Sequence, residues 1–320
     1  MTITEATSLP QSTTYLRCSQ HSGRTFPPAV QVRSLSVQAW DLVRSTPATV
    51  RVLGRFRRTV DLLVGEELLA LVLPDVGNGP FHVVVEALPP RSLPQTLTLQ
   101  LEGELLTLGA WRCRLPDPLS PWDPRPSWSE VRFQPENLKH LLLLLAKEVP
   151  AKGSSPFDGL PGGEEVPQVT ALRCALESGD REAVVAAAEL LAGWGPGLTP
   201  SGDDFLAGVM LALHYLGSSA TKSDTLAPAT VSDFAYALYE AAAPRTNRVS
   251  RAFLAAARDG LADERWHRLL QTVSGKDTRA LRLAVRDVLA FGATSGRDML
   301  GGFLWLLRQR LQSAPEIAKA

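Results

Sequence analysis

The apolar residues of this chain keep two different periods, and the change between them falls near residue 116. Over residues 48–115 they come in short runs broken by Gly, Pro, Asn and Asp, as in strands joined by tight turns. Residues 49–64 hold two β-prone runs around Gly54, and further runs follow at 68–73, 81–86, 97–101, 105–108 and 111–115. Ahead of them, residues 30–32 open ordered structure and residues 36–44 predict a short helix before Pro47. A small antiparallel sheet or barrel is the economical way to bury such strands.

Residues 116–135 break every period. Pro116, Pro118, Pro121, Pro124, Pro126 and Pro135 exclude a continuous helix, and Trp122 and Trp128 are expected to anchor an ordered linker. Beyond it the helical period takes over, with helices predicted at 135–149, 169–178, 181–191, 203–216, 232–243, from about 246 to 258, 263–274, 276–289 and 298–311. The Gly/Pro/Ser stretch 150–167 is long enough to serve as a mobile lid. The expected class is α+β: a flexible segment over 1–29, a β-rich, barrel-like domain over 30–116, a Pro/Trp-rich linker over 117–135 and an α-helical domain over 136–320.

The most concentrated chemistry lies where one helix begins. Gly193, Gly195 and Gly197 alternate and lead into Leu198-Thr199-Pro200-Ser201-Gly202-Asp203-Asp204, after which Phe205, Leu206, Val209, Met210 and Leu213 continue at helical spacing. Ser201 is placed to cap that helix, with Asp204 three residues on. A glycine loop at a helix start offers free N–H groups to an anion, whereas Asp203 and Asp204 would repel one. A late stretch, Ser295-Gly296-Arg297-Asp298-Met299-Leu300-Gly301-Gly302, has the same form as 201–208. Two helix starts built alike can face one pocket. Gly208, Gly301 and Gly302 each cost their helix about 1 kcal/mol relative to alanine, so close packing against a helix or a ligand is expected there.

Three readings stay open for these residues: helix capping, a substrate or phosphate loop, and a metal site of Asp203, Asp204 and Asp298, for which Mg2+ is the natural guest. A Walker-type loop is excluded, because no Gly-Lys-Ser/Thr follows the glycines, and a dinucleotide fingerprint fits poorly after a helix. Arg245, Arg248 and Arg297 are candidate anion ligands, as is the cluster Arg51, Arg55, Arg57 and Arg58, three of which would share a face on a regular strand. The alternative for each is a solvated surface. The loop with Gly77-Asn78-Gly79-Pro80 is either a hairpin connection or the lip of a site.

Composition narrows the partners. Lysine plus arginine equals aspartate plus glutamate at 33 each in 320 residues, so the chain has no global nucleic-acid or membrane footprint. Cys18, Cys113 and Cys174 are too scattered for a disulfide framework or a metal motif. With no signal-peptide pattern and no apolar run of membrane length, the expected location is cytoplasmic. The five histidines have no ligand spacing, and His214, on an apolar helix, reads as a packed residue.

The run from Gly193 to Gly208 resembles the signature of a bacterial family long labelled a domain of unknown function. That family includes a subunit associated with oxamate carbamoyltransferase in allantoin breakdown (AllH-like). Gly77-Asn78-Gly79-Pro80, Thr246 with Ser250, and Gly292 with Ser295-Gly296-x-Asp298 are similar too, so the resemblance runs from about residue 50 to 310. For the purine-catabolic branch it implies carbamoyl transfer between carbamoyl phosphate and oxamate, with further protein subunits as partners. The Ser-Thr-Arg-Thr phosphate loop of the ordinary carbamoyltransferases is absent. On this reading phosphate would sit on N–H groups of 197–202 or Gly296, and Arg245 or Arg297 would neutralise the leaving charge. Asp204 or Asp298 would orient or deprotonate the accepting amide. Asn78, Gly195, Gly197, Thr199, Ser201, Gly202, Asp203, Thr246, Ser295 and Gly296 would bind the small anionic or amide substrate. A metabolite-binding or assembly subunit without catalysis is the competing reading.

Overall fold

The strands close into a barrel in the order β1-β5-β4-β3-β2-β6-β7-β8. In the computed structural model, which describes residues 28–133, 135–148, 157, 165–219 and 228–312, these are β1 (Val30–Leu35), β2 (Ala48–Arg55), β3 (Thr59–Val64), β4 (Glu67–Val72), β5 (His82–Val85), β6 (Thr96–Glu102), β7 (Leu105–Leu108) and β8 (Trp111–Arg114). Helix α1 (Val37–Arg44) follows β1. The flexible segment expected over 1–29 lies outside the described residues except for Pro28 and Ala29. The lid expected at 150–167 lies outside them apart from Phe157 and residues 165–167.

Two pairings depart from the antiparallel expectation: β4 with β5, and β1 with β8, run parallel. The loop over 73–81 is therefore no hairpin. The barrel interior is filled by one face of each strand, with Val50, Leu62, Leu69, Leu71, Val83, Val85, Leu99 and Leu106 among the buried residues. A small barrel closes with just enough room for side chains.

The sequence of β3, β4 and β5 is apolar on both faces, and the structure gives the reason. Val60, Leu62 and Val64 face the barrel core, while Asp61, Leu68, Ala70 and His82 face the helices. Strands covered on both sides lose the polar alternation that β6 keeps. The second face packs on helix α7 (Arg248–Arg258) through Leu68, Phe81, Val249, Ala256 and Leu261.

The other helices are α2 (Pro135–Glu148), α3 (Pro167–Ser178), α4 (Arg181–Glu189), α5 (Ser201–Ser219), α6 (Pro228–Ala242), α8 (Glu264–Val273), α9 (Thr278–Leu289) and α10 (Ser295–Gln312). Aspartate or asparagine caps four of them: Asp180, Asn247, Asp263 and Asp277 each accept from two N–H groups of the following turn. Helix α5 is buried all round from Ser201 to Leu213, as expected of a helix at the centre of a bundle. Its main neighbour is α10.

The α5–α10 contact repeats itself. A Cβ on Gly208 would lie 1.9 Å from the Met299 carbonyl oxygen, and one on Gly302 would lie 2.1 Å from that of Phe205. Each glycine stands seven residues after its own Ser201 or Ser295, and each carbonyl belongs to the residue four after the other serine. The two motif copies therefore cross by an approximate twofold. Gly301 has no described atom within 4 Å of its Cβ position, so close packing explains two of the three helix glycines.

The proline-rich stretch joins barrel to bundle. Trp122 exchanges backbone hydrogen bonds with Leu35 and Val37 of the barrel region, and Pro124 accepts from Ala262 N–H. Trp128 donates its indole N–H to Gly260 O at 2.9 Å and stacks on His214. His214 is held through Nε2 to Arg258 O, and burial keeps its pKa down, in keeping with a packed residue.

Candidate functional site

Between the outer face of β3–β5 and the two motif loops lies a cavity of about 710 Å³. Gly197, Leu198 and Thr199 line it from the first motif, and Gly292, Thr294 and Ser295 from the second. The barrel contributes Arg57, Arg58, Thr59, Asp61 and His82, helices α7 and α8 contribute Phe253 and Arg265, and the turn between α9 and α10 contributes Phe291.

The two motif copies meet on this wall. Thr199 Oγ1 and Ser295 Oγ are 2.7 Å apart. Both hydroxyls lie beside the carboxyl of Asp204, which is 3 % exposed, and act to lower its pKa. Burial is the main cause that pushes that carboxyl up to about 8, with the two hydroxyls opposing the rise and the nearby charges of Asp298 and Asp203 adding to it. At neutral pH Asp204 is thus mostly a neutral acid, able to donate a third O–H to the cluster. Its Oδ2 has no hydrogen-bond partner among the described residues.

Asp203 does something else. It accepts from Gly193 N–H at 2.8 Å and from the Thr246 hydroxyl, and so ties the start of the glycine loop to the turn before α7. Burial raises its pKa, while the Thr246 and Gly193 hydrogen bonds oppose the rise. Asp203, Asp204 and Asp298 do not make a metal cage: among the described residues no three His, Cys, Asp or Glu come together to hold an ion.

Several expected roles change with the geometry. Helix α5 begins at Ser201 itself, and the Pro200 carbonyl accepts from Asp203 and Asp204 N–H, so Ser201 is a first-turn residue and not the cap. Gly202 and Gly296 do not line the cavity. A Cβ on either would lie 1.9 Å from Leu191 O or 1.8 Å from Val288 O, so close packing excludes a side chain. Their N–H groups donate to Trp194 O and Phe291 O, which removes both from the donors expected for phosphate. Gly195, at φ 107°, packs on Ser201.

Arg245 lies off the cavity, paired with Glu189 at 2.8 Å. Arg248 pairs with Glu66, and Arg297 and Asp298 are absent from the cavity lining. Asn78 is committed to the joint: its side chain accepts from Ser34 at 2.6 Å and donates to Glu264 at 2.9 Å, and its N–H donates to the same oxygen at 3.0 Å. The shared face expected for Arg51, Arg55 and Arg57 is broken by a register shift between Val52 and Gly54. Arg55 turns to the Leu93 carbonyl, while Arg57 and Arg58 sit in the β2–β3 turn and reach the cavity.

The strand and helix patterns missed Asp61, His82, Arg265, Phe253 and Phe291. Burial pushes Asp61 up to about 6. His82 is buried, its Nδ1 2.9 Å from Gly77 O, and burial lowers its pKa. A single charge, Asp61, inside an apolar strand was the one visible sign that this face was not ordinary core.

Residues 191–307 match the family described as oxamate carbamoyltransferase subunit AllH. This region of the chain is AllH-like. The match takes in the glycine loop, α5, the turn before α7 and most of α10, which are the elements that carry both motif copies. No solved structure matches the chain. Among the described residues, no helix is long and apolar enough to cross a membrane.

Proposed function

We propose that the protein is a subunit of a carbamoyltransferase assembly, and that the cavity holds its small anionic or amide substrate. The observation that carries the reading is the meeting of Thr199 and Ser295, one from each motif copy, on the same wall that Arg57 and Arg58 reach from the barrel. In the transfer, the carbamoyl C–O bond to phosphate breaks and a C–N bond to the oxamate amide forms. The amide nitrogen gives up a proton and phosphate leaves. Arg57 and Arg58 supply positive charge for phosphate or carboxylate oxygens. The Thr199 and Ser295 hydroxyls orient the amide, and Asp204 behind them holds or passes a proton.

The competing reading, a metabolite-binding subunit without chemistry, is favoured by one observation: Asp203, Asp204 and Asp298 are all outside the cavity lining. Carbamoyl transfer from carbamoyl phosphate to oxamate by the assembled subunits separates the two. Arg57→Ala and Ser295→Ala should each lower transfer at least about tenfold, a loss of about 1.4 kcal/mol in transition-state binding. Full activity in both variants, or in Asp204→Asn, would remove these residues from the reaction.

A further inference from the structure

We infer that the cavity takes a flat heteroaromatic ligand bearing an anionic group, with its ring against Phe253 and Phe291 and its charge at Arg57. The inference rests on the cavity's being the ligand site of the proposed function, and it goes beyond carbamoyl phosphate and oxamate. Those are molecules of a few heavy atoms each, whereas about 710 Å³ lies within the range that encloses a much larger ligand.

The walls are built for a ring. Phe253 meets Phe81 edge-on at 5.0 Å and Phe291 at 6.0 Å, so three aromatic side chains form a continuous surface along one side. Both Phe253 and Phe291 remain half-buried and line the cavity. The Arg265 guanidinium lies 5.4 Å from the centre of the Phe291 ring, and its NH2 donates to Val76 O at 2.5 Å. That fixes the far edge of the wall.

The charge has its own place. Arg58 is paired with Asp75, but Arg57 makes no ion pair with another described residue, and it is exposed at the cavity edge. A guanidinium left over at the rim of an aromatic-walled cavity matches an anion carried on a ring. The Thr199 and Ser295 hydroxyls and the Asp61 carboxyl line the same space and offer both donors and acceptors. A ring with nitrogen donors or acceptors on its edge would satisfy them, which a plain hydrocarbon ring would not.

Calorimetric titration of the full-length protein tests this with four probes. AMP carries the ring on a phosphate and nicotinate carries it on a carboxylate. Adenosine is a ring without charge, and inorganic phosphate is charge without a ring. At least one of AMP and nicotinate should bind about tenfold or more tighter than adenosine and phosphate, and whichever binds identifies the anion. Phe291→Leu and the surface change Arg57→Gln should each weaken that binding about tenfold. Equal affinity for all four probes, or unaltered binding in both variants, would overturn the inference. Carbamoyl phosphate and oxamate, added as competitors, keep the two proposals apart. A ring-bearing anion that binds and is displaced by neither leaves this inference standing and counts against the carbamoyl site. Carbamoyl transfer with no binding of AMP or nicotinate does the reverse.

Discussion

Replacing Gly302 by alanine puts a methyl group where the backbone of α5 already lies. The new Cβ would be 2.1 Å from the Phe205 carbonyl oxygen and 3.0 Å from its carbon, against 3.4 Å or more for ordinary contact. A side chain could rotate away, but a backbone carbonyl inside a buried helix cannot. The α5–α10 crossing has to open by more than an ångström at its tightest point. Overpacking of a core costs about 1–3 kcal/mol and sometimes more, and alanine recovers about 1 kcal/mol of helix propensity. With backbone on both sides the cost falls at the upper end, so Gly302→Ala should destabilise by about 2 kcal/mol or more. The neighbouring Gly301 is the control, since no described atom lies within 4 Å of its Cβ position. Gly301→Ala should be neutral or gain up to about 1 kcal/mol. Urea unfolding followed by far-ultraviolet circular dichroism reads both as shifts in midpoint. The same crossing is pinned at Gly208, so adding Gly208→Ala to Gly302→Ala should cost less than the two changes taken singly. Equal midpoint shifts for Gly301→Ala and Gly302→Ala would refute the crossing as described.

Other outcomes follow from the site and the joint. Asp204 is raised in the fold to about 8 from the ordinary carboxyl value of 3.8, so its contribution to stability is complete below that lower value and is lost as pH rises through about 8. Asp61, raised to about 6, adds a similar decline that ends earlier. By pH 7 the Asp61 decline is over, so Asp204→Asn should flatten the fall in unfolding midpoint between pH 7 and 8; an unchanged slope would show that Asp204 is not buried in neutral form. Glu264→Ala removes the acceptor for the Asn78 N–H and side-chain amide, and should cost about 1.5–3 kcal/mol in urea unfolding. A loss under about 0.5 kcal/mol, the range of an ordinary surface change, would mean that the joint does not depend on it. Asp203→Asn keeps the size of the side chain but can no longer accept at both oxygens; it should loosen the turn before α7, seen as faster amide exchange at Gly193.

The order and type of the elements could be read from local pattern, because that pattern records which face of each element is buried. The helices after residue 135 follow from their periodic apolar faces and from caps such as Asp180, Asn247 and Asp277. The motif at 193–208 and its echo at 295–302 stand out by residue type alone. Their physical meaning was only half visible. Gly202, Gly208, Gly296 and Gly302 are glycines because a carbonyl from elsewhere in the chain occupies the space of a side chain. A sequence shows that a side chain is missing but not what stands in its place.

What the sequence determined by itself is the class, the barrel-then-bundle order and the doubled Ser-Gly-x-Asp helix start, all of which depend on spacing along one stretch of chain. Only the tertiary structure decided how that start is used. It turned Asp203 toward Gly193 and Thr246, set Asp204 behind the Thr199–Ser295 pair, and drew Arg245 away to Glu189. It also brought Arg57, Asp61 and His82 across from the barrel to face those hydroxyls. These partners are far apart in sequence, and their meeting depends on how the outer face of three strands packs on a helix bundle, which no local period encodes.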